Sequence, residues 1–189
     1  MLVRRQNFRP ALLSLFLANI RLLKNKSDEL LCLLETRRDF KDCCVIVSLK
    51  LGLTPLCPTP PYSPRVSPFT RLTGAIFFPT KLKVGGGGFL VNNQWCSDIN
   101  ILSKTCSPEL DTLTIKCRPF YLPREFSSVL FTAVYVPPQV NTNMAVAQLS
   151  DMVTQHENSN PDSICVIAGD FNKALRKELP KYALSFLTI

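Results

Sequence analysis

A carboxylate and a carboxamide, Asp170 and Asn172, end the apolar stretch SICVIAGDFN (163–172). A buried strand that stops at the edge of a sheet places its last residues beside a cleft, and strand residues two apart face the same side. Asp170 can therefore orient or deprotonate a water molecule, or bind a hard cation such as Mg²⁺ through oxygen. Asn172 can donate a hydrogen bond to a developing oxyanion. The alternative for this motif alone is an Asx turn at a strand end, without catalysis.

Three further polar side chains are candidates for a role in chemistry. Tyr135 lies in VYVPP (134–138), where an apolar run stops at two prolines, and its phenol can hydrogen-bond a phosphate oxygen. The alternative is an ordinary aromatic at an interface. Asn19 ends the apolar run in LANIR, where a carboxamide is costly unless it is paired. His156, the only histidine, lies in a polar helix-like stretch and is predicted to be a surface residue rather than a catalytic base.

The elements that must position these residues follow from the spacing of apolar residues. The stretch 144–157 has the helical spacing, with Met144 and Leu149 on its apolar face. The predicted strands are 11–23, 43–47, 85–93, 111–122, 127–138 and 163–172, and the predicted helices are 27–40 and 144–157. Strands and helices in this order predict an α/β domain in which helices cover sheets.

Length and cysteine spacing limit the class of protein. A chain of 189 residues is long enough for one domain with a substantial core, and it has no apolar run of the roughly 20 residues that a bilayer requires. The short apolar stretch near the N-terminus lacks a small-residue cleavage site, so we interpret it as a core strand. Eight cysteines without metal-ligand spacing predict free thiols in a reducing compartment. We expect an intracellular protein, nuclear or cytoplasmic, that is not secreted and has no membrane partner.

The segment 48–84 differs from the rest of the sequence. It holds seven of the fifteen prolines, five lysines and arginines, and no acidic residue. Because so much of the net charge of +8 comes from this segment, the charge is weak evidence for a polyanionic partner. The composition is typical of a proline-rich linker, of a ligand for SH3 or WW domains, or of a disordered insertion.

The motifs in this order resemble a known family, the endonuclease/exonuclease/phosphatase fold in its apurinic-endonuclease-like branch. The match is close to the endonuclease domain of LINE-type (non-LTR) retrotransposon polyproteins, and it covers roughly 11–47 and 85–182. The stretches that carry it are LLSLFLANIRLLKNKSDELLCLL, GGGGFLVNNQWC, CSPELDTLTIKCRPFYLPREFSSVLFTAVYVPP and PDSICVIAGDFNKALRKELPKY.

The resemblance implies a fold, an activity and a set of site residues. The fold would be an α/β four-layer αββα sandwich, incomplete in this chain, and the activity would be Mg²⁺-dependent hydrolysis of a DNA phosphodiester. Asp170 would orient or activate the attacking water, Asn172 would stabilise the pentacovalent phosphate, and Tyr135 would contact the scissile phosphate. Asn19 would support the metal site. DNA would be the partner, and no obligate protein partner is evident.

Two departures from the family pattern limit this expectation. The family's metal-binding glutamate lies in an FTETWL-like motif, where this chain has SLKLGL (48–53). The family's pattern ends in a Ser-Asp-His motif, and the sequence stops at Ile189 before it. We therefore assign 11–182 to a partial domain, 48–84 to an aberrant segment within it, and 1–10 and 183–189 to tails.

A shift of reading frame accounts for the aberrant segment. The codons TTC-ACT-GAA-ACT-TGG-CTT encode Phe-Thr-Glu-Thr-Trp-Leu, and the same bases read one position later encode Ser-Leu-Lys-Leu-Gly. The family pattern returns at the glycine run 85–88, where a run of G bases would restore the frame. Out-of-frame translation would explain the proline excess, the missing acids and the lost glutamate together.

The sequence thus predicts an inactive remnant of a LINE-type endonuclease, since members of a catalytic unit act non-additively and each loss is costly. Two alternatives stay open. One is a working nuclease or phosphatase in which another acid, such as Glu35 or Asp42, replaces the glutamate. The other is a non-catalytic module that presents 48–84 to a binding domain, which a pull-down with that segment would reveal.

The nucleotide sequence over codons 45 to 90 tests the frame hypothesis. We expect an alternative frame that encodes an FTETWL-like motif and rejoins the observed frame at the glycine run. Codons without such an alternative frame would contradict the hypothesis.

Overall fold

The computed structural model describes residues 14–19, 32–33, 36–41, 43–49, 75–79 and 87–171. Those residues form eight strands and two helices. The strands are β1 (Leu15–Asn19), β2 (Val45–Leu49), β3 (Ala75–Pro79), β4 (Gly87–Asn92), β5 (Asp98–Cys106), β6 (Asp111–Arg118), β7 (Ser128–Tyr135) and β8 (Ser163–Asp170), and the helices are α1 (Arg38–Lys41) and α2 (Thr142–Ser159).

The eight strands form two four-stranded mixed sheets. Sheet A has the order β1-β2-β4-β3, in which β1 and β2 are parallel and the other neighbours are antiparallel. Sheet B has the order β5-β6-β7-β8, in which only β7 and β8 are parallel. The connection between β7 and β8 contains α2, as parallel neighbours require a crossover.

The two sheets pack face to face around one apolar core. Alternate residues of β6, β7 and β8 point into it, together with residues of β2 and β4. Phe131 of β7 links the two sheets, because its ring lies 6.4 Å from that of Phe89 in β4 and 6.1 Å from that of Trp95. The buried residues of this core are Cys44, Val45, Val47, Phe89, Val91, Trp95, Cys96, Leu113, Ile115, Cys117, Val129, Phe131, Ala133, Val166 and Ala168.

Helix α2 covers the other face of sheet B. Asn141 caps its N-terminus by accepting a hydrogen bond from the Asn143 N–H, and Ala145 and Leu149 are buried against the sheet. Side chains four residues apart then contact sheet B or the turn beside it, since such residues share one helix face. These contacts join Gln148 to Ser107, Met152 to Thr112, His156 to Ser103, and Asn160 to Lys116.

The α/β class predicted from the sequence is confirmed, and several local predictions need correction. The strand β5 was not predicted, because a bulge between Ile101 and Ser103 interrupts its alternation. Met144 was predicted to lie on the buried face of α2, but it is 52% exposed, and its neighbour Ala145 is buried instead. Within the segment 48–84, Ala75–Pro79 forms β3 at the edge of sheet A, where a strand tolerates proline.

Other predictions concern thiols and membranes. The described cysteines are free thiols, of which Cys43, Cys44, Cys96 and Cys117 are buried. In the part of the chain that the structure describes, no helix is long and apolar enough to cross a membrane. Half of the helix predicted at 27–40 lies within the described residues, and 32–33, 36 and 38–40 are helical there.

The partial burial of His156 beside Ser103 predicts a dependence of stability on pH. Their side chains meet at 2.9 Å, and partial burial lowers the pKa of His156 below its ordinary value of 6.5. As the pH falls, His156 therefore takes up a proton in the unfolded chain at a higher pH than in the folded chain. The contribution of neutral His156 to the free energy of unfolding is complete above about pH 6.5 and decreases below it.

We expect the melting temperature of the wild-type protein to fall relative to that of His156→Gln between about pH 7.5 and about pH 5.5, because glutamine does not titrate. Thermal unfolding of both proteins across this range measures the difference. A constant difference between the two would contradict the assignment.

Candidate active site at the strand ends

The ends of three neighbouring strands bring polar side chains into one row. The Cα atom of Tyr135, the last residue of β7, pairs with that of Asp170, the last residue of β8. On its other side Tyr135 pairs with Asp111, the first residue of β6. We call Asp111, Tyr135 and Asp170 the strand-end row, and Cys106 of β5 continues it beyond Asp111.

The strand-end row faces the space between the two sheets. Along each strand, residues two apart share a face, and the residues two positions from each member belong to the inter-sheet core. These are Leu113 for Asp111, Ala133 for Tyr135, and Ala168 for Asp170. All three members are buried, with exposures of 3%, 9% and 6%. The row is therefore the polar rim of an otherwise apolar interior.

Gly169 sets how closely β7 and β8 approach at this rim. A Cβ atom at this position would lie 2.1 Å from the carbonyl oxygen of Val134, its partner in β7, and 2.8 Å from the Val134 Cβ. Only glycine allows this approach. The Val136 N–H donates to the Asp170 carbonyl oxygen at 2.9 Å, which extends the pairing beyond the strands. Together these contacts fix Asp170 beside Tyr135.

A tight turn fixes Asp111 at the other side of the row. In the turn between β5 and β6, the Ser107 N–H donates to the Leu110 carbonyl, and the Leu110 N–H donates to the Ser107 hydroxyl. Ser107 also donates to Gln148 of α2. The backbone that carries Asp111 is thereby tied to its own turn and to the helix.

The carboxylate of Asp111 is the least satisfied polar group of the row. Its Oδ1 is buried and has no hydrogen-bond partner. Burial raises the pKa of Asp111, and the thiol of Cys106, which hydrogen-bonds the carboxylate, opposes this only in part. A buried polar atom without a partner costs about 1–3 kcal/mol, so Asp111 is held here at the expense of stability.

The structure brings together two of the residues predicted from the sequence. Asp170 and Tyr135 are neighbours in the row. The backbone of Asn19 ends β1, where it pairs with Leu49 of β2. The side chain of Asn19 and the whole of Asn172, Glu35 and Asp42 lie outside the described residues. Among the side chains that are described, no three Cys, His, Asp or Glu residues are grouped closely enough to hold a metal ion.

Sequence reasoning missed Asp111. Its signal is an acidic residue at the first position of the alternating strand 111–122, directly after the turn SPEL. Because alternation places residues 111, 113, 115 and 117 on one face, the acid lies on the face that buries leucine, isoleucine and cysteine. A charged residue in phase with the core is the pattern that could have identified it.

Comparisons with known proteins define the fold. No family model matches this sequence, and no curated protein matches it. Among solved structures, the chain is similar to the 3′ phosphatase NExo from Neisseria, a variant of which was solved bound to a product DNA hairpin. The TM-score is 0.55 and the sequence identity is 14%, and the match covers 85% of this chain and 58% of that chain. At this identity the similarity shows the fold, an α/β architecture of two mixed sheets and a helix, consistent with the endonuclease/exonuclease/phosphatase fold.

Replacing Gly169 with alanine tests the close approach of β7 and β8. The added methyl group would collide with the Val134 carbonyl, so the strands must separate at the rim. We expect a loss of about 1–3 kcal/mol in the free energy of unfolding, as for other overpacked sites. Denaturant unfolding measures it, and Ser97→Thr, which adds one methyl group at an exposed position, is the control. An unchanged stability of Gly169→Ala would contradict the predicted contact.

Proposed function

We propose that this chain is a remnant of a metal-dependent DNA endonuclease of the LINE type, with a phosphodiester site at the strand-end row. The observation that carries the proposal is the pairing of Tyr135 with Asp170 at the ends of adjacent parallel strands. Ligand sites in open α/β sheets lie outside the carboxyl ends of parallel strands. The resemblance assigns catalytic roles to these same two residues, and one solved structure of similar fold is a 3′ phosphatase bound to a product DNA hairpin.

The chemistry proposed for the row follows from its side chains. The carboxylate of Asp170 would accept a proton from the attacking water or hold that water in line with the phosphorus atom. The phenol of Tyr135 would donate a hydrogen bond to a phosphate oxygen, which orients the substrate. By the resemblance, Asn172 would donate to the same phosphate as negative charge develops.

The resemblance implies a magnesium ion at this site. Carboxylate oxygens are the ligands that Mg²⁺ prefers, and Asp170 would offer one at the end of β8. By the resemblance, Asn19 would support the ion beside Asp170. When bound, Mg²⁺ supplies positive charge that offsets the negative charge on the phosphate oxygens and the leaving group.

The missing glutamate accounts for the loss of activity that we propose. The stretch SLKLGL (48–53) offers no carboxylate at the position that the family pattern assigns to a metal ligand. Weaker metal binding lowers the stabilisation of the transition state, and a loss of one member of a catalytic unit typically costs orders of magnitude in rate. We therefore expect hydrolysis that is far slower than in an intact site.

A second candidate function is supported by the Oδ1 of Asp111. A nuclease or phosphatase of the same fold could operate if Asp111 replaced the lost glutamate as a metal ligand. The position of Asp111 next to Tyr135 in the row is the observation that favours this candidate.

A plasmid-nicking assay separates the two candidates. Supercoiled DNA is incubated with the purified chain and Mg²⁺, and with Asp170→Asn as the site variant. Asp151→Asn, at an exposed position of α2, is the control. For a remnant, we expect the wild type to nick no faster than Asp170→Asn.

Nicking that requires Mg²⁺, is lost in Asp170→Asn and persists in Asp151→Asn would overturn the inactive remnant. That result would favour the second candidate, a working hydrolase.

A further inference from the structure

We propose that Cys96 and Cys117 form a redox pair, whose two thiols hydrogen peroxide or a related hydroperoxide converts into a disulfide. Cys96 reacts first, and Cys117 closes the bond. The disulfide joins the turn that follows β4 of sheet A to β6 of sheet B. This modification site is separate from the proposed phosphodiester site, because Cys117 lies six residues along β6 from Asp111, a distance of roughly 20 Å.

The first argument is that the two thiols touch in the folded protein. A hydrogen bond joins the side chains of Cys96 and Cys117, and both residues are completely buried in the inter-sheet core. The backbone brings them together, since the Phe120 N–H donates to the Trp95 carbonyl at 3.1 Å and Ile99 pairs with Cys117. A disulfide forms without backbone movement only where two cysteine side chains already point toward each other. Thiols in hydrogen-bond contact meet that condition.

The second argument is that neighbouring contacts hold each thiol in place. In β6, Cys117 pairs with Ile99 on one side and with Val129 on the other. The Cys96 N–H donates to the Asn92 carbonyl at 3.0 Å, and the Cys96 thiol donates to the Asp98 carbonyl at 3.3 Å. Because both residues are anchored, the two sulfur atoms stay together, and the bond can form by their further approach.

The third argument concerns which thiol reacts first. The thiolate is the nucleophile, so the thiol with the lower pKa attacks the oxidant. The hydrogen bond with Cys117 lowers the pKa of Cys96 more than burial raises it. The same hydrogen bond, together with burial, raises the pKa of Cys117. Cys96 is therefore the attacking thiol, and Cys117 keeps its proton until the second step.

The oxidant reaches the buried pair through the turn between β4 and β5. Cys96 lies outside the strands, next to the exposed Ser97 and two residues from the exposed Gln94. A segment with few ladder hydrogen bonds opens locally at a lower free-energy cost than a strand in the centre of a sheet. Because hydrogen peroxide is a small neutral molecule, a limited opening of this turn admits it.

Two steps form the bond, with the peroxide as the only co-reactant. The thiolate of Cys96 attacks one oxygen of hydrogen peroxide, the O–O bond breaks, and the departing hydroxide takes up a proton to become water. The sulfur of Cys117 then attacks the sulfenic acid on Cys96. The S–O bond breaks, the hydroxyl group leaves as water with the proton of Cys117, and the S–S bond forms. Two thiols lose two electrons, and one peroxide is reduced to two water molecules.

Mapping of the oxidised wild-type protein tests the proposal without any substitution. The reduced chain is treated with hydrogen peroxide, quenched with catalase, blocked with N-ethylmaleimide in denaturant and digested. We expect mass spectrometry to find the peptides of Cys96 and Cys117 joined by a disulfide that dithiothreitol releases. Oxidation confined to the exposed Cys32 and Cys106, with Cys96 and Cys117 both alkylated, would overturn the proposal.

Single substitutions test the order of the two steps. In Cys117→Ala no second thiol closes the bond, so the sulfenic acid of Cys96 should persist and be trapped by dimedone. In Cys96→Ala we expect dimedone labelling of Cys117 to be about tenfold weaker, because its raised pKa leaves little thiolate. Cys32→Ala, at an exposed position, is the control and should form the disulfide as the wild type does. Equal labelling of Cys96 and Cys117 in the two variants would contradict the assignment of Cys96 as the attacking thiol.

Thermal unfolding measures whether the bond fits the folded protein. A disulfide between thiols that already touch should stabilise the fold, because the link mainly constrains the unfolded chain. We expect the oxidised wild type to melt about 5 °C or more above the reduced protein, and to lose this gain in dithiothreitol. Cys117→Ala treated in the same way should gain nothing. A lower melting temperature for the protein with the mapped disulfide would show that the fold must distort to make the bond, and it would contradict the proposal.

Discussion

The close approach of β7 and β8 at Gly169 determines where Tyr135 and Asp170 of the strand-end row lie. The backbone of Val134 occupies the space that any side chain at residue 169 would need. Because of this contact, two parallel strands keep their register up to their last residues, and Tyr135 and Asp170 end side by side. A shift of one residue would turn Asp170 away from the interior and Gly169 toward it. The chemistry proposed for the site therefore depends on a glycine that takes no part in it.

Asp111 shows how a site can be costly to the protein that carries it. Its burial opposes the charged form, and its hydrogen bond with Cys106 leaves Oδ1 without a partner. Natural proteins commonly keep such destabilising groups where they bind or react, and remove them elsewhere.

Much of the fold could be predicted from the distribution of apolar residues, since β7 and β8 are apolar runs with clear ends and α2 has helical spacing. The strand β5 could not, because its bulge changes the side on which alternate residues lie, and its side chains are mostly exposed. The predicted apolar face of α2 included Met144, whereas the structure buries Ala145 in its place. Helical spacing alone does not determine which of two adjacent apolar residues contacts the sheet.

Some residues of the candidate site could likewise be predicted from the sequence, and others could not. Tyr135 and Asp170 could be inferred, because each ends an apolar run, and polar residues at strand ends have a position that sequence reveals. For their neighbour Asp111 the sequence offers only its phase with the core residues of β6, because its pairing with Tyr135 comes from a register between β6 and β7 that depends on the intervening loop. The cross-strand pair is a property of the folded sheet and not of either strand.

The two sheets also differ in how their strands are spaced along the sequence. Sheet B and α2 come from the continuous stretch 98–171, whereas the strands of sheet A are spread over 15–92, with 25 residues between β1 and β2 and 25 between β2 and β3. The longest interval of sheet B, between β7 and β8, is of similar length and contains α2. An insertion or deletion of whole codons between β2 and β4, or a frame change that is restored before β4, would alter residues of sheet A and leave the sequence of sheet B unchanged. A gene with such a change would still encode Asp111, Tyr135 and Asp170.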